Sequence, residues 1–142
     1  MSAFHPIKSD VTAGSVYYYN DPGLKSTYPH YCIVVNINPS KDAVLLLVHA
    51  SHRISKVKER RKGYPQETLV EIGPIQYPGF DKQSIVDCND VMERDVEALR
   101  RLLAQHRLVK KPVMDLRLVR MLRKGIIASD QVAQTTKDLL EE

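Results

Sequence analysis

Up to Asp90 the apolar residues come in short runs broken by polar, glycine-bearing and proline-bearing stretches; beyond it they recur at helical spacing. Ser15–Tyr19 is aromatic and β-prone and reads as a first strand. Tyr31–Asn36 and Ala43–Ala50 are near-continuous apolar runs of strand length, and Asn38–Asp42 between them is turn chemistry, which predicts an antiparallel hairpin. Glu67–Ile72 alternates and Ser84–Cys88 is a short last strand. The stretches Asn20–Pro29 and Gly73–Lys82 carry the glycines and prolines of loops, and Ser51–Pro65 is a long basic excursion. Five short strands at this spacing predict a small, strongly bent antiparallel sheet or barrel.

Three helices are expected next. Asp90 and Glu93 have capping-box spacing, and Val96, Leu99 and Leu103 follow at helical period, which predicts a helix near Val91–His106. Pro112 interrupts the chain. Leu118, Val119 and Leu122 mark a second helix that Gly125 should cap, and Ser129-Asp130 should start a third reaching about Leu140. The first 13 residues show no consistent period and read as a tail. The expected organisation is one domain over 1–142, mainly β then α, with a barrel over 14–90 and a helical extension over 91–142.

Length and composition agree with this. The chain has 142 residues, 43% of them hydrophobic, which suits one domain with a real core. The longest apolar run, Ala43–Val48, is far short of the roughly 18 residues a membrane span needs. The first ten residues lack the basic start and apolar stretch of a signal peptide, so a soluble cytoplasmic protein without membrane contact is expected. Cys32 and Cys88 sit in apolar runs without partners at metal-ligand spacing; they read as buried free thiols, with a disulfide as the alternative.

Charge changes the picture more. Net charge is +4, yet six of the 21 basic residues fall between Arg53 and Lys62 and nine between Arg100 and Lys124, opposed there only by Glu59 and Asp115. Such clustering suits a polyanion, because neutralising phosphates releases counterions. A solvated face balanced in space by acidic residues is the alternative.

Pairing the second and third strands brings the start of one beside the end of the other. His30 then lies near Ser51, His52 and Arg53. Imidazole, hydroxyl and guanidinium together can cleave a phosphodiester without a metal: a base takes the ribose 2′-OH proton, a cation meets the phosphorane charge, and an acid protonates the leaving 5′-oxygen. Ordinary half-exposed loop histidines are the competing interpretation. Asp87, Asp90, Glu93 and Asp95 read as caps and solvated positions rather than a metal cage, and no CxxC, HExxH or P-loop pattern occurs, so no metal or cofactor is expected. Tyr17, Tyr18 and Tyr19 cannot all face one core, since side chains alternate along a strand, and one that reaches a surface could stack on a base.

Five stretches, in order, resemble the PemK/MazF-like toxins of toxin–antitoxin modules: SVYYYNDPG, HYCIVVN, LLLVHAS, KGYPQETLV and KQSIVDCNDVMERDVEAL. The likeness runs from about Gly14 to Leu103. It implies an SH3-like barrel, a homodimer, metal-independent cleavage of single-stranded RNA and a cognate antitoxin protein. The second strand of that family usually begins Arg-Pro; here His30 stands at the family's catalytic arginine and Tyr31 follows it. Ser51 matches the family's hydroxyl position. Resemblance and strand pairing together point to catalysis by His30, Ser51 and Arg53. The clustered charge and its surroundings point to RNA binding by Lys25, which is also a reserve for the charge role, and by His52, Lys56, Lys58, Arg60, Arg61, Lys62 and Tyr64. The lost arginine equally suits a catalytically inactive module that binds RNA or a protein partner.

Overall fold

The computed structural model describes residues 11–142. Seven antiparallel strands form one sheet: β1 Val16–Tyr19, β2 His30–Val34, β3 Leu45–Ser51, β4 Leu69–Ile72, β5 Ser84–Asp87, β6 Met92–Arg94 and β7 Leu108–Lys111. Their order is β4-β5-β3-β2-β1-β7, with β6 also on β3. Strand β3 divides its outer edge. Ala50 and Ser51 pair with β5, whereas Leu45–Leu47 pair with β6. The path is open, with β4 and β7 at its two ends among the described residues. A β-then-α antiparallel architecture is thus present.

Both faces of the sheet are buried, which explains why β2 and β3 are near-continuous apolar runs rather than alternating ones. One face sets Val16, Ile33, Leu46 and Val48 against Tyr77, Phe80 and Val119, Leu122 and Ile126. The other sets Tyr17, Tyr19, Cys32, Val34, Leu45 and Leu47 against Val96, Leu99 and Leu108. The helices supplying these contacts are α2 Val96–Ala104 on the second face and α3 Leu116–Ala128 on the first. Cys32 and Cys88 are buried free thiols.

Several expectations are corrected. The basic excursion is helical, α1 Ile54–Arg60. The expected helix near Val91–His106 begins as β6; α2 starts at Val96, and Asp95 rather than Asp90 caps it by accepting the Glu97 N–H at 2.8 Å. Strand β7 was not foreseen. It pairs with β1, Leu108 opposite Tyr19 and Lys111 opposite Val16. Helix α3 runs through Gly125 to Ala128, and Gly125 is a contact rather than a cap. A Cβ there would lie 2.6 Å from the Glu67 carbonyl oxygen and 2.8 Å from Cys88 Sγ. The third helix shrinks to α4 Gln134–Asp138; the Ser129 oxygen accepts the Gln131 N–H at 3.0 Å while its hydroxyl donates to Asn89 Oδ1 at 2.7 Å, and no helix follows until Gln134. Of the expected tail, 1–10 lie outside the described residues, and Val11 is buried in the second core.

Two buried polar groups fix the loops. Asn36 bonds Asp42 Oδ2 and the Val44 carbonyl and accepts the Leu46 N–H, holding the β2–β3 connection. Asp21 accepts from Tyr19 Oη at 2.6 Å, from the Gly23 N–H at 2.8 Å and from Arg94 Nε and Nη2 at 2.8 and 2.7 Å. That cluster anchors the loop between β1 and β2, which forms one wall of the cleft described next.

Candidate functional site

A cleft of about 850 Å³ opens where β2 begins and β3 ends. One wall is the β1–β2 loop with Lys25 and Tyr28, the opposite wall is α1 with Lys56 and Arg60, and Asp81 and Lys82 close a third side. Strand alternation determines what faces it. Tyr31 pairs with Ala50 and Cys32 with His49, so His30 stands at the level of Ser51. His30, Cys32 and Val34 of β2 therefore share a face with Leu45, Leu47, His49 and Ser51 of β3. The apolar floor supplied by the leucines ends at two imidazoles and a hydroxyl.

His30 and His49 meet edge to face with ring centroids 5.5 Å apart. The Nδ1 atom of each is buried without a hydrogen-bond partner. Unmade hydrogen bonds on buried polar atoms are uncommon in folded proteins and call for an explanation. Burial lowers the pKa of His30; the positive neighbours His52 and Arg53 lower it further, and backbone hydrogen bonding at Tyr28 opposes them. Burial also lowers His49, opposed by Asp90, whose Oδ2 lies 4.0 Å from His49 Nδ1. The two rings share a low-dielectric setting but differ in their charged neighbours: His49 has the carboxylates Asp90 and Asp87 opposing Arg60 and His30, whereas His30 has only the cations His52 and Arg53.

The predicted residues divide into two groups. His30, Ser51, His52, Arg53, Lys25, Lys56 and Arg60 all line the cleft. The Ser51 oxygen accepts the Arg53 N–H at 3.1 Å, which leaves its hydroxyl proton free to donate into the cleft. Lys58, Arg61, Lys62 and Tyr64 do not line it. Lys58 pairs with Glu71 at 2.9 Å. Arg61 donates to buried Asp87 at 2.8 Å and lies over the Tyr64 ring, 5.0 Å from its centroid. The Lys58–Glu71 pair ties α1 to β4, and the Arg61–Asp87 bond ties the residue that ends α1 to β5.

Residues missed from sequence complete the cleft. His49 is the chief one; inside the run AVLLLVHA it looks like core, and only its parity with Ser51 along β3 places it at the opening. Tyr31 is another; Tyr18, from the tyrosine run expected to send one ring to a surface, stands beside it. Their rings lie 4.6 Å apart, with Lys111 Nζ 5.7 Å above the first and 5.9 Å above the second. Tyr17 and Tyr19 are buried, so Tyr18 is the member of the tyrosine run that reaches the cleft. Burial, then the neighbouring Asp81, raises the Tyr31 pKa.

No three His, Cys, Asp or Glu side chains among the described residues converge to hold a metal ion. No helix among them is long and apolar enough to cross a membrane. The chain matches no known protein-family model and no curated protein.

Proposed function

We propose that this cleft cleaves single-stranded RNA without a metal, and that the chain is a toxin-type endoribonuclease on an SH3-like, PemK/MazF-like sheet. The observation that carries the proposal is the edge-to-face pair of imidazoles beside the Ser51 hydroxyl, their Nδ1 atoms without hydrogen bonds, ringed by Lys25, Arg53, Lys56 and Arg60.

The chemistry is a transesterification. The ribose 2′-oxygen forms a bond to the adjacent phosphorus and the bond from phosphorus to the 5′-oxygen breaks. One proton leaves the 2′-OH and one reaches the 5′-oxygen, giving a 2′,3′-cyclic phosphate and a 5′-OH. Groups in different electrostatic settings take opposite proton-transfer roles. His30, beside Arg53 and His52, is held neutral and acts as base. His49, also lowered by burial but with Asp90 opposing that shift, is assigned the acid role. Ser51 hydrogen-bonds a non-bridging oxygen, and Arg53 and Arg60 meet the charge that develops on the phosphorane. Tyr18 and Tyr31 offer a stacking platform for a base, which suits single-stranded substrate. A cognate antitoxin, a twofold homodimer and a cytoplasmic setting belong to the same proposal.

The test is incubation of the purified chain with a single-stranded RNA oligonucleotide in EDTA. Cleavage should persist, leave a cyclic phosphate and spare a 2′-deoxy analogue. His30→Ala and His49→Ala should each slow it on the order of a hundredfold with RNA affinity within a few fold. Wild-type rates in either variant, or arrest by EDTA, would contradict the assignment. If the wild-type chain binds RNA and cuts none, the cleft is a binding module instead.

A further inference from the structure

A second hollow, of about 630 Å³, lies on the far side of α3, walled by Met121, Ile127 and Leu140 and rimmed by Arg117, Arg120 and Lys124. Its floor is Arg123, whose side chain is only 4% exposed. Two of its nitrogens are used structurally: Nε donates to the Val35 carbonyl at 2.7 Å and Nη2 to the Asn36 carbonyl at 3.0 Å. These bonds hold the guanidinium rigid at the end of β2. The third nitrogen, Nη1, points outward and donates to Glu142 Oε1 at 2.8 Å. Arg120 Nε reaches the same oxygen at 3.1 Å.

Two guanidiniums that converge on one oxygen form a carboxylate-recognition geometry, and one of them is pre-ordered by the backbone. A buried cation is expensive unless paired. Here its one carboxylate partner among the described residues, Glu142, has a side chain 46% exposed, and Arg117 and Lys124 form no ion pair among those residues. Glu142 is thus a partner that water can reach and a competitor can displace. The walls are apolar, and Met121 is 47% exposed with a flexible, polarisable side chain suited to an incoming apolar group. Glu142 already shows the pattern that fits, a carboxylate on the arginines beside the apolar wall that includes Leu140.

We propose that this hollow is a docking site for a partner-protein segment presenting a carboxylate beside a leucine-sized side chain, with Glu142 as its displaceable internal occupant. The apolar walls favour such a peptide over nucleic acid, which would leave them uncovered. The site lies on α3, away from the RNA cleft, so it stands whether or not that cleft cuts RNA.

The probe is a fluorescent synthetic peptide of residues 137–142, KDLLEE, measured by anisotropy against the full chain. Removing an internal competitor raises apparent affinity, so Glu142→Gln should bind the peptide about fivefold or more tightly than wild type. Arg120→Gln, at a side chain 54% exposed and therefore safe for folding, should abolish most binding. A KDLLQQ peptide should bind at least about tenfold more weakly than KDLLEE, because the charged hydrogen bonds are lost. Equal binding of the two peptides, or binding unchanged by Arg120→Gln, would overturn the proposal. So would an Arg120→Gln chain that loses affinity for single-stranded RNA while the peptide binds neither protein.

Discussion

Arg94→Ala tests whether the β1–β2 loop is held by a buried charge pair. Asp21 is 1% exposed and receives four hydrogen bonds, two of them from Arg94. Removing one partner of a buried pair leaves an uncompensated charge and costs about 3–5 kcal/mol. Arg94 is 25% exposed, and Asp21 keeps Tyr19 and the Gly23 N–H, so the lower end, about 3 kcal/mol, is expected. Urea denaturation reads this as a fall in midpoint at unchanged slope. The pH dependence is the sharper signature. In the wild-type chain burial alone would raise the Asp21 pKa, but the bonds from Arg94, Tyr19 and Gly23 outweigh it and leave it below the ordinary carboxylate range. Its contribution is therefore complete above the unfolded value of about 3.9 and is lost as pH falls through the lower folded value. Without Arg94 burial should win and the shift reverse, so the variant's deficit should shrink as pH falls from 7 to about 5. Adding Asp21→Asn to Arg94→Ala should recover part of the loss, since a neutral amide tolerates burial better. A destabilisation under about 1 kcal/mol, the range of an exposed pair, or a deficit independent of pH would refute the reasoning.

Gly125→Ala should destabilise by about 1–2 kcal/mol despite the helix propensity it gains, because its Cβ meets the Glu67 carbonyl and Cys88; an unchanged or raised melting temperature would contradict that. Stability should also fall as pH drops below about 6.5, because the unfolded chain then takes up protons that His30 and His49, both lowered by burial, do not. A His30→Gln/His49→Gln chain should show a flatter curve in the same denaturation series. For the same reason any cleavage should peak on the acid side of about 6.5, as a pH–rate profile would show. Lys25→Glu or Lys56→Glu should weaken RNA binding across sequences and reduce the salt slope by about one unit each, whereas Lys58→Glu, lost only from a pair with Glu71, should change neither in a filter-binding titration.

What could be read from the sequence follows from which physical signal dominated each segment. The central strands were legible because burial on both faces makes β2 and β3 apolar at nearly every position. Strand β7 was not, since only Leu108 of Leu108–Lys111 is buried and two lysines follow; its pairing with β1 is a tertiary choice. Gly125 misled because a glycine late in a helical pattern signals a cap, whereas here the requirement is space for the Glu67 backbone. Composition located the basic cleft but could not separate cations that face it from those tied down elsewhere. Lys58 turns to Glu71 and Arg61 to Asp87, whereas Lys56 lines the cleft and Arg60 lines it while also lying 3.6 Å from Asp87, and the sequence showed there only a long basic excursion. His30 was found because it stands at a strand start, where polar residues attract notice. His49 was not, because a histidine inside an apolar run reads as core.

The reason His49 can sit inside that run lies in how β3 is paired. Its outer edge is shared, Ala50 and Ser51 with β5 and Leu45–Leu47 with β6, and the chain crosses from one to the other through Asn89–Val91. That crossing falls level with His49 and sets Asp90 4.0 Å from its Nδ1. A continuous partner strand along β3 would bring a residue of the sheet to that level instead of this carboxylate. The divided edge therefore does two things at once. It lets two strands, β5 and β6, pair with one edge of β3, and it delivers one acidic group to an otherwise apolar floor. His30, across the pair on β2, gets no such neighbour and faces Arg53 and His52 instead. The electrostatic difference between the two imidazoles, on which the acid and base assignments rest, is thus a consequence of strand topology. It follows that Asp90→Asn should slow cleavage by lowering the proton affinity of His49, moving the alkaline limb of the pH–rate profile to lower pH while the acid limb set by His30 stays in place. A rate loss uniform across pH would mean that Asp90 serves the fold alone, and that the two histidines are not divided in their roles.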